Sequence, residues 1–509
     1  MGNLFINKKA HAISFAIAAA FGLTACGLTA CGGGGGGSTT TSPTPSNPPS
    51  ANAPTVSVTV SQPKTTVNTP VTVTWSSTNA TSCTGLDAMT AGVKATSGSA
   101  TITPTAGGQY TYTISCDGAG GTAKQSAALV VPMPVKSSSY ANAKETGLAP
   151  FHVPVLPNVS GSGAHAYAVA DFQQNGTYSL LVSPNGDGAW PQDPKNYGKV
   201  GSLKFFSRAS EQSEWVDVTS TLLKDATGCL STRKVVVADF NGDSKPDAFV
   251  SCIGMDLWPI PAGQRPMEQP RMLLSQADGT YKNVLMDFYC FCHSASAAEL
   301  NNKGYADLVV TDFNAGNPTG YYDQLGVKHQ DLFFLTNNKD GTFTKSQANL
   351  PALAKDGKPL STEFIDFNGD GKFDWWIAGE RTLNAILYNN GGNRFDLTTP
   401  TMLPMSAFPL NPVYGLALDI LVKDGYIYQS AYSLDFNGMA IVKTNFALLT
   451  STLLYEHVGV YPESGVPHET WLLNRTTTEL RDSWFPWIQF YNGTIRSVDT
   501  QFSSVEVPL

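Results

Sequence analysis

Charge is scarce in this chain. Only 14% of its 509 residues are Asp, Glu, Lys or Arg, and the formal balance of −8 offers no basic footprint for nucleic acid. Histidine is scarce too: the seven are scattered, and none stands at a metal-ligand or triad spacing. GxSxG, HExxH and the P-loop are missing, which removes the enzyme classes that carry a local signature. A catalytic site assembled from distant loops would leave no such trace. Beyond the N-terminal segment no apolar run approaches the length that a membrane-spanning helix needs. Gly, Thr, Ser and Asn are plentiful instead, a balance typical of extracellular β-proteins, and the length calls for two or more ordered units.

The first 31 residues read as a targeting segment. Lys8 and Lys9 form its positive region and Ala10 to Phe21 its short apolar core. Leu23-Thr-Ala-Cys26-Gly and Leu28-Thr-Ala-Cys31-Gly follow, and both resemble the bacterial lipobox, in which the cysteine becomes lipid-modified. Cys26 is favoured because the apolar run ends just before it, with Cys31 the alternative; an ordinary secretory signal is the competing reading. Neither cysteine is followed by Asp, which by analogy with bacterial lipoproteins points to the outer membrane. Residues 32–54, a Gly run and then a Ser/Thr/Pro/Asn tract, cannot bury a core and make a tether.

From 55 to 131 short alternating strands separated by Gly, Asn and Pro turns predict a β-sandwich. The segment resembles bacterial immunoglobulin-like domains in Trp75-Ser-Ser-Thr-Asn-Ala-Thr-Ser-Cys83 and Tyr110-Thr-Tyr-Thr-Ile-Ser-Cys116, although Trp75 precedes the first Cys instead of lying between the two. It carries no catalytic constellation and reads as a spacer. Cys83 and Cys116 are expected to pair. Cys229, Cys252, Cys290 and Cys292 allow three connectivities, of which geometry disfavours a Cys290–Cys292 bridge. Zinc is the competing reading for these cysteines, but there is no CxxC and only His293 lies close by. Residues 132–144 form a second, shorter linker.

Beyond 145 one motif recurs. Asp239-Phe-Asn241-Gly-Asp243-Ser-Lys245-Pro-Asp247 returns as Asp366-Phe-Asn368-Gly-Asp370-Gly-Lys372-Phe-Asp374. Oxygen-bearing side chains at positions 1, 3, 5 and 9 suit Ca²⁺, which takes six to eight oxygens at about 2.3–2.6 Å. An EF-hand is excluded: its position 12 is Glu, here Val250 and Ile377, and the flanks are β-prone, so the loop joins two strands. The side-chain ligands are assigned as Asp239, Asn241, Asp243 and Asp247, then Asp366, Asn368, Asp370 and Asp374. Lys245 and Lys372 would offer only a backbone carbonyl, their charge pointing outward. The competing reading is a solvated Asx turn, against which stands the mutual repulsion of three carboxylates within nine residues. Degraded copies start at Asp171, where one carboxylate remains, and at Glu299, where Lys303 could replace the cation; both are expected to be empty. A faint fifth starts at Asp419.

These starts lie 53 to 68 residues apart, a period that suits a propeller blade of four strands. Each unit has a downstream hairpin signature, as in Ser-Gln-Ala-Asp278-Gly, Asn-Asn-Lys-Asp340-Gly and Asn-Asn-Gly-Gly after Tyr388. Together the two signatures resemble the FG-GAP/VCBS repeat family, the integrin-α-type β-propeller, over residues 145–509. The implied fold is all-β: an immunoglobulin-like sandwich followed by a propeller of about six blades, or seven if one has diverged past recognition.

In such blades the loops between strands two and three emerge opposite the Ca²⁺ loops. Here they carry Trp190, Tyr197, Trp258, Tyr321 and Tyr322 among polar residues, a surface that suits a carbohydrate or a protein ligand. The alternative is that the rings pack the loops onto the propeller top. The leading functional reading is a non-enzymatic, lipid-anchored envelope protein presenting a calcium-stabilised propeller for adhesion or ligand capture. A polysaccharide-acting enzyme and a structural subunit of an envelope complex are the alternatives, since fold does not decide function.

Overall fold

Runs of Val, Thr, Ile and Tyr in period two fold as strands throughout. The computed structural model describes residues 52–87, 90–144, 165–186, 198–209, 213–254, 267–312, 332–346, 358–404 (less 381, 392–393 and 397), 416–458 (less 433–437), 487–498 (less 492) and 504–508.

The N-terminal unit has two antiparallel sheets. Strands β1 (Thr55–Val60), β2 (Val71–Thr78) and β5 (Ser97–Ile102) form one; β3 (Ser82–Gly85), β4 (Gly92–Lys94), β6 (Gly108–Gly118) and β7 (Gly121–Val131) form the other, in the order β4-β3-β6-β7. Along β2 the residues Val71, Val73 and Trp75 are buried while Thr74 and Ser76 face water, the alternation a half-buried strand demands. They pack with Val58 and Ile102 against Tyr112, Ile114, Leu129 and Val131 of the second sheet. The expected Cys83–Cys116 disulfide forms, within one sheet: the two residues lie directly opposite on β3 and β6.

From His165 onward the described residues fold as six successive antiparallel meanders. Sheet I comprises β8 (His165–Ala170), β9 (Ser179–Pro184), β10 (Lys204–Ser207) and β11 (Val216–Asp217); sheet II, β12 (Thr232–Ala238), β13 (Asp247–Cys252), β14 (Arg271–Ser275) and β15 (Tyr281–Leu285). Sheet III comprises β16 (Cys292–Ala298), β17 (Asp307–Asp312), β18 (Leu332–Asn337) and β19 (Phe343–Ser346); sheet IV, β20 (Lys358–Ile365), β21 (Asp374–Glu380), β22 (Thr382–Leu387) and β23 (Thr401–Met402). Sheet V comprises β24 (Leu416–Lys423), β25 (Tyr426–Tyr432), β26 (Gly438–Asn445) and β27 (Thr450–Val458); sheet VI, β28 (Trp487–Tyr491), β29 (Thr494–Val498) and β30 (Ser504–Pro508).

Each sheet is buried on both faces, so its inner strands read as near-continuous apolar runs. Val235 and Val237 pack toward sheet I with Ala168, Leu181 and Phe205, while Val236 and Phe249 pack toward sheet III with Ala295, Leu308 and Phe333. Trp375 and Trp376, adjacent in sequence, take opposite faces of sheet IV, with Ala298 and Val309 on one side and Ala417 and Ile420 on the other. First strands supply small residues (Ala166, Ala168, Ala238, Ala295, Ala297, Ala417) and second strands large ones (Leu181, Phe249, Trp375, Trp376), the wedge needed where sheets converge on an axis. The first strands of neighbouring sheets are accordingly packed together, from β8–β12 through to β24–β28. The arrangement is propeller-like.

A short helix lies at the hub. Helix α1 (Ser139–Lys144) is N-capped by Ser138, whose hydroxyl accepts the Ala141 N–H at 3.1 Å. It abuts β8, β12, β16 and β20, and it reaches β24 through Tyr140 Oη, which accepts the Val422 N–H at 2.8 Å. These residues belong to the stretch that the sequence assigns to a linker. A second helix, α2 (Thr219–Leu222), follows β11.

Two expectations are corrected. Asp419 does not open a fifth loop: it lies inside β24, and the turn to β25 is the two-residue hairpin Asp424-Gly425, with φ of 51° and 79°. Cysteines 290 and 292 do pair, alongside Cys229–Cys252. The chain is drawn in at Phe291, whose N–H donates to Asp312 at 2.9 Å, and the two Cα atoms stand 5.1 Å apart, within bridging range. No described helix is long and apolar enough to cross a membrane.

Candidate functional site

The loops between the first and second strands of sheets I to IV lie on one face of the ring, here called the turn face. All four have the same backbone. Positions 4 and 6 take left-handed φ in each: Gln174 and Gly176 (52° and 77°), Gly242 and Ser244 (76° and 62°), Asn302 and Gly304 (51° and 79°), Gly369 and Gly371 (74° and 81°). Gly or Asn there costs little; Gln174 and Ser244 are held there against ordinary steric preference.

In the two intact loops the side-chain oxygens of positions 1, 3 and 5 accept from the loop's own backbone amides. Asp239 Oδ1 accepts from Gly242 N at 2.6 Å and Asp243 N at 3.2 Å, and its Oδ2 accepts from Ser244 N at 2.6 Å. Asn241 Oδ1 accepts from Asp243 N at 3.1 Å. The second loop repeats this at Asp366 and Asn368 with distances of 2.7, 3.2, 2.9 and 3.0 Å. Three oxygen-bearing side chains are thereby oriented by the loop's own amides, in a partly solvated rim.

Position 9 is different. Asp247 and Asp374 are fully buried, and each ties its loop to the end of the third strand of its own sheet or the residues just past it. Asp247 Oδ2 accepts from Phe240 N (2.7 Å) and Asn241 N (3.1 Å), and its Oδ1 accepts from Ser275 N (2.7 Å). Asp374 accepts from Phe367 N (3.0 Å) and Asn389 N (2.9 Å). Burial raises the carboxyl pKa of Asp374 and Asp239, and it pushes Asp247 up to about 7. The Phe240 and Asn241 amides take both lone pairs of Asp247 Oδ2, whereas each Asp374 oxygen accepts one amide and keeps a second lone pair.

Each lysine pairs with the carboxylate two residues before it while keeping part of its stem in water. Lys245 Nζ folds back to 3.1 Å from Asp243 Oδ2 and donates to Gln276 O at 3.0 Å, and Lys372 Nζ lies 2.8 Å from Asp370 Oδ2. The carboxylate two residues away is the nearest counter-charge, and the flexible stem reaches it. Ser275 Oγ, 3.1 Å from both Asp243 oxygens, joins the same group.

In the diverged loop at Glu299, Lys303 Nζ lies 3.2 Å from Asp307 Oδ1, while Asp307 keeps the tie to Asn337 N at 2.9 Å. In the loop at Asp171, Ser179 Oγ accepts the Phe172 N–H at 3.2 Å in place of a carboxylate. Asp171 itself accepts from Asn175, Gly176 and Met133. Ser275, Asn337 and Asn389 stand where each downstream hairpin begins; that signature is visible in the sequence, but its pairing with position 9 is not.

A second polar cluster occupies the hub. The Lys144 ammonium pairs with Asp419, both nearly buried, and donates to Ile488 O at 2.7 Å. Lys234 pairs with Glu363, which also accepts from Ser296 Oγ at 2.9 Å. Trp190, Tyr197, Trp258, Tyr321 and Tyr322 lie outside the described residues, as do Cys26 and Cys31.

Residues 299–377 match the family model for the FG-GAP-like repeat. That stretch holds the diverged loop at Glu299 and the intact one at Asp366. A search of curated protein sequences found no match. Among solved structures, a Bacteroides thetaiotaomicron protein of unknown function is 10% identical, with 89% of this chain and 97% of that chain covered and a TM-score of 0.35. A periplasmic gluconolactonase from Pseudomonas aeruginosa is 12% identical, with coverages of 65% and 83% and a TM-score of 0.33. A rhamnogalacturonan lyase from Bacillus licheniformis is 12% identical, with coverages of 88% and 88% and a TM-score of 0.29. Likeness at this level says nothing of this chain's chemistry.

Proposed function

We propose that the chain is a non-enzymatic, lipid-anchored envelope protein in which an immunoglobulin-like sandwich accompanies a six-bladed, calcium-stabilised β-propeller that binds a carbohydrate or protein ligand. The observation that carries this reading is the pair of loops at Asp239 and Asp366, in which the oxygens of positions 1, 3 and 5 are each held by backbone amides of the same nine-residue turn. Such a hard-oxygen set fits Ca²⁺, with Asp239, Asn241, Asp243 and Asp247 at one site and Asp366, Asn368, Asp370 and Asp374 at the other. The Lys245 and Lys372 carbonyls complete each set. The ion's part is structural: it neutralises the rim carboxylates and pins the hairpin between first and second strands. Six sheets around one helix support the blade count. The anchor rests on the two lipobox matches at Cys26 and Cys31.

The proposed ligand face is the one opposite the turn face, where loops between second and third strands emerge, and α1 enters the hub from the turn face. Ser138 bridges Ala298, where β16 ends in its loop, and Lys144 reaches Asp419 in the first half of β24. The test is a glycan array together with a polysaccharide-turnover assay on the full chain, with Ca²⁺ measured by elemental analysis. The expected outcome is two bound Ca²⁺, glycan or protein binding, and no turnover. Turnover would replace the binding reading with an enzymatic one, and Ca²⁺-free protein would remove the metal sites. Mass spectrometry of the mature N-terminus tests the lipid: an unmodified Cys26 and Cys31 would rule out the anchor.

A further inference from the structure

Residues 132–144 are pinned at both ends and in the middle. At the outer end, Met133 N–H donates to Asp171 Oδ2 at 3.0 Å, and Gln109 Nε2 of the sandwich donates to Asn175 O at 3.0 Å. The sandwich backbone lies directly on this loop: a Cβ added at Gly176 would come within 2.5 Å of Gly108 O. In the middle, Ser137 O accepts the Glu299 N–H at 2.8 Å, Ser139 Oγ accepts the Ala297 N–H at 2.9 Å, and Asn142 Nδ2 donates to Val237 O at 2.9 Å. At the inner end, the Lys144 ammonium bridges Asp419 of β24 and Ile488 O of β28, and Ile488 N–H donates back to Asp419 at 2.8 Å.

Two features make this more than packing. Each of the six sheets is drawn from one contiguous stretch of chain, so among the described residues no strand is shared between the first sheet and the last. The ring therefore has one junction with no covalent continuity, and α1 contacts the first strand of every sheet. The loop at Asp171 has also kept its backbone while exchanging its ligand set for a chain amide. We infer that residues 132–144 are an internal ligand of the ring, which fastens the sandwich to the first loop and, with α1 packed on β8 and Lys144 on β24 and β28, ties the fifth and sixth sheets back to the first. The diverged first loop is then a docking site for the chain itself, and it holds the sandwich against the first sheet.

The test uses the full chain. Lys144→Met leaves Asp419 buried without its partner. Amide exchange in β28–β30 should then rise on the order of a hundredfold, while β12–β19 keep their protection. Lys144→Met combined with Asp419→Asn should recover much of that loss. An equal rise in every sheet, or no rise, overturns the closing role. Should Lys144→Met fail to fold, Tyr140→Phe removes the acceptor of the Val422 N–H and should loosen sheet V first. At the outer end, Asp171→Ala should speed trypsin cleavage after the exposed Lys136 by about tenfold, with hub exchange unchanged. Cleavage at the parent rate overturns the docking role.

Discussion

The loops at Asp239 and Asp366 and those at Asp171 and Glu299 share a backbone and differ in counter-charge. In all four, positions 4 and 6 are left-handed and the side chain at position 9 is buried. In three of them position 9 is an Asp that reaches the end of the third strand or the residues just past it, at Ser275, Asn337 or Asn389. What changes is the rim. The intact loops present three oxygen-bearing side chains there, one diverged loop substitutes the Lys303 ammonium, and the other admits the Met133 amide. Loop shape and rim chemistry are thus separable layers: the buried anchor holds the turn, and the exposed rim varies in what stands beside it.

Removing the anchor should have the largest effect. Asp247→Ala strands the buried amides of Phe240, Asn241 and Ser275, and unsatisfied groups of this kind cost about 1–3 kcal/mol each. The variant should lose about 3 kcal/mol or more by denaturant titration, together with one bound ion. Asp307→Ala strands only the Asn337 amide and should lose less, about 1–3 kcal/mol, and no ion.

Chelation comes next. A ligand that binds only the folded state, present at a hundred times its dissociation constant, stabilises by about 2.7 kcal/mol per site. Thermal melts in Ca²⁺ and in excess chelator should therefore differ by several degrees. Asp370→Ala should remove one ion of two, whereas Asp171→Ala should leave both.

The comparison sharpens if a diverged loop can be converted. Lys303→Asp restores an oxygen at position 5 beside Glu299, Asn301 and Asp307 and should raise the stoichiometry from two Ca²⁺ to three, by elemental analysis. A count that stays at two would mean that position 1 must be Asp.

The smallest effect is in pH. Asp247 has its folded pKa raised to about 7, so between the usual carboxylate range and pH 7 the folded state holds a proton that the unfolded state has lost. Its contribution is complete below about pH 4 and disappears as pH rises through 7. Metal-free protein should accordingly lose stability across that window, and Ca²⁺, which favours the ionised form, should reverse the trend. Melts with chelator at pH 5 and pH 8 check the sign.

The recurring loop, the strands on either side and the Cys83–Cys116 pair were legible in the sequence because each is local or repeated. Nine residues contain the whole ligand set, and period-two patterning marks the strands that flank it. The motif does not record that Lys245 and Lys372 pair with the carboxylates two residues before them, since the path of a long flexible stem is settled by the nearest counter-charge and not by motif position. Asp419 was mistaken for a loop residue because Asp-Gly turns and diverged loops look alike once the ligands are gone.

The sequence by itself determined the all-β class, the repeat and the candidate calcium ligands, because hydrogen-bonding pattern and side-chain alternation are written residue by residue. Only the tertiary structure decided that residues 132–144 run into the hub, that Lys144 meets Asp419, and that Lys234 meets Glu363. Those partners stand 275 and 129 residues apart, and no local preference records them. They arise because converging sheets leave a narrow axis in which a buried charge must find an opposite one.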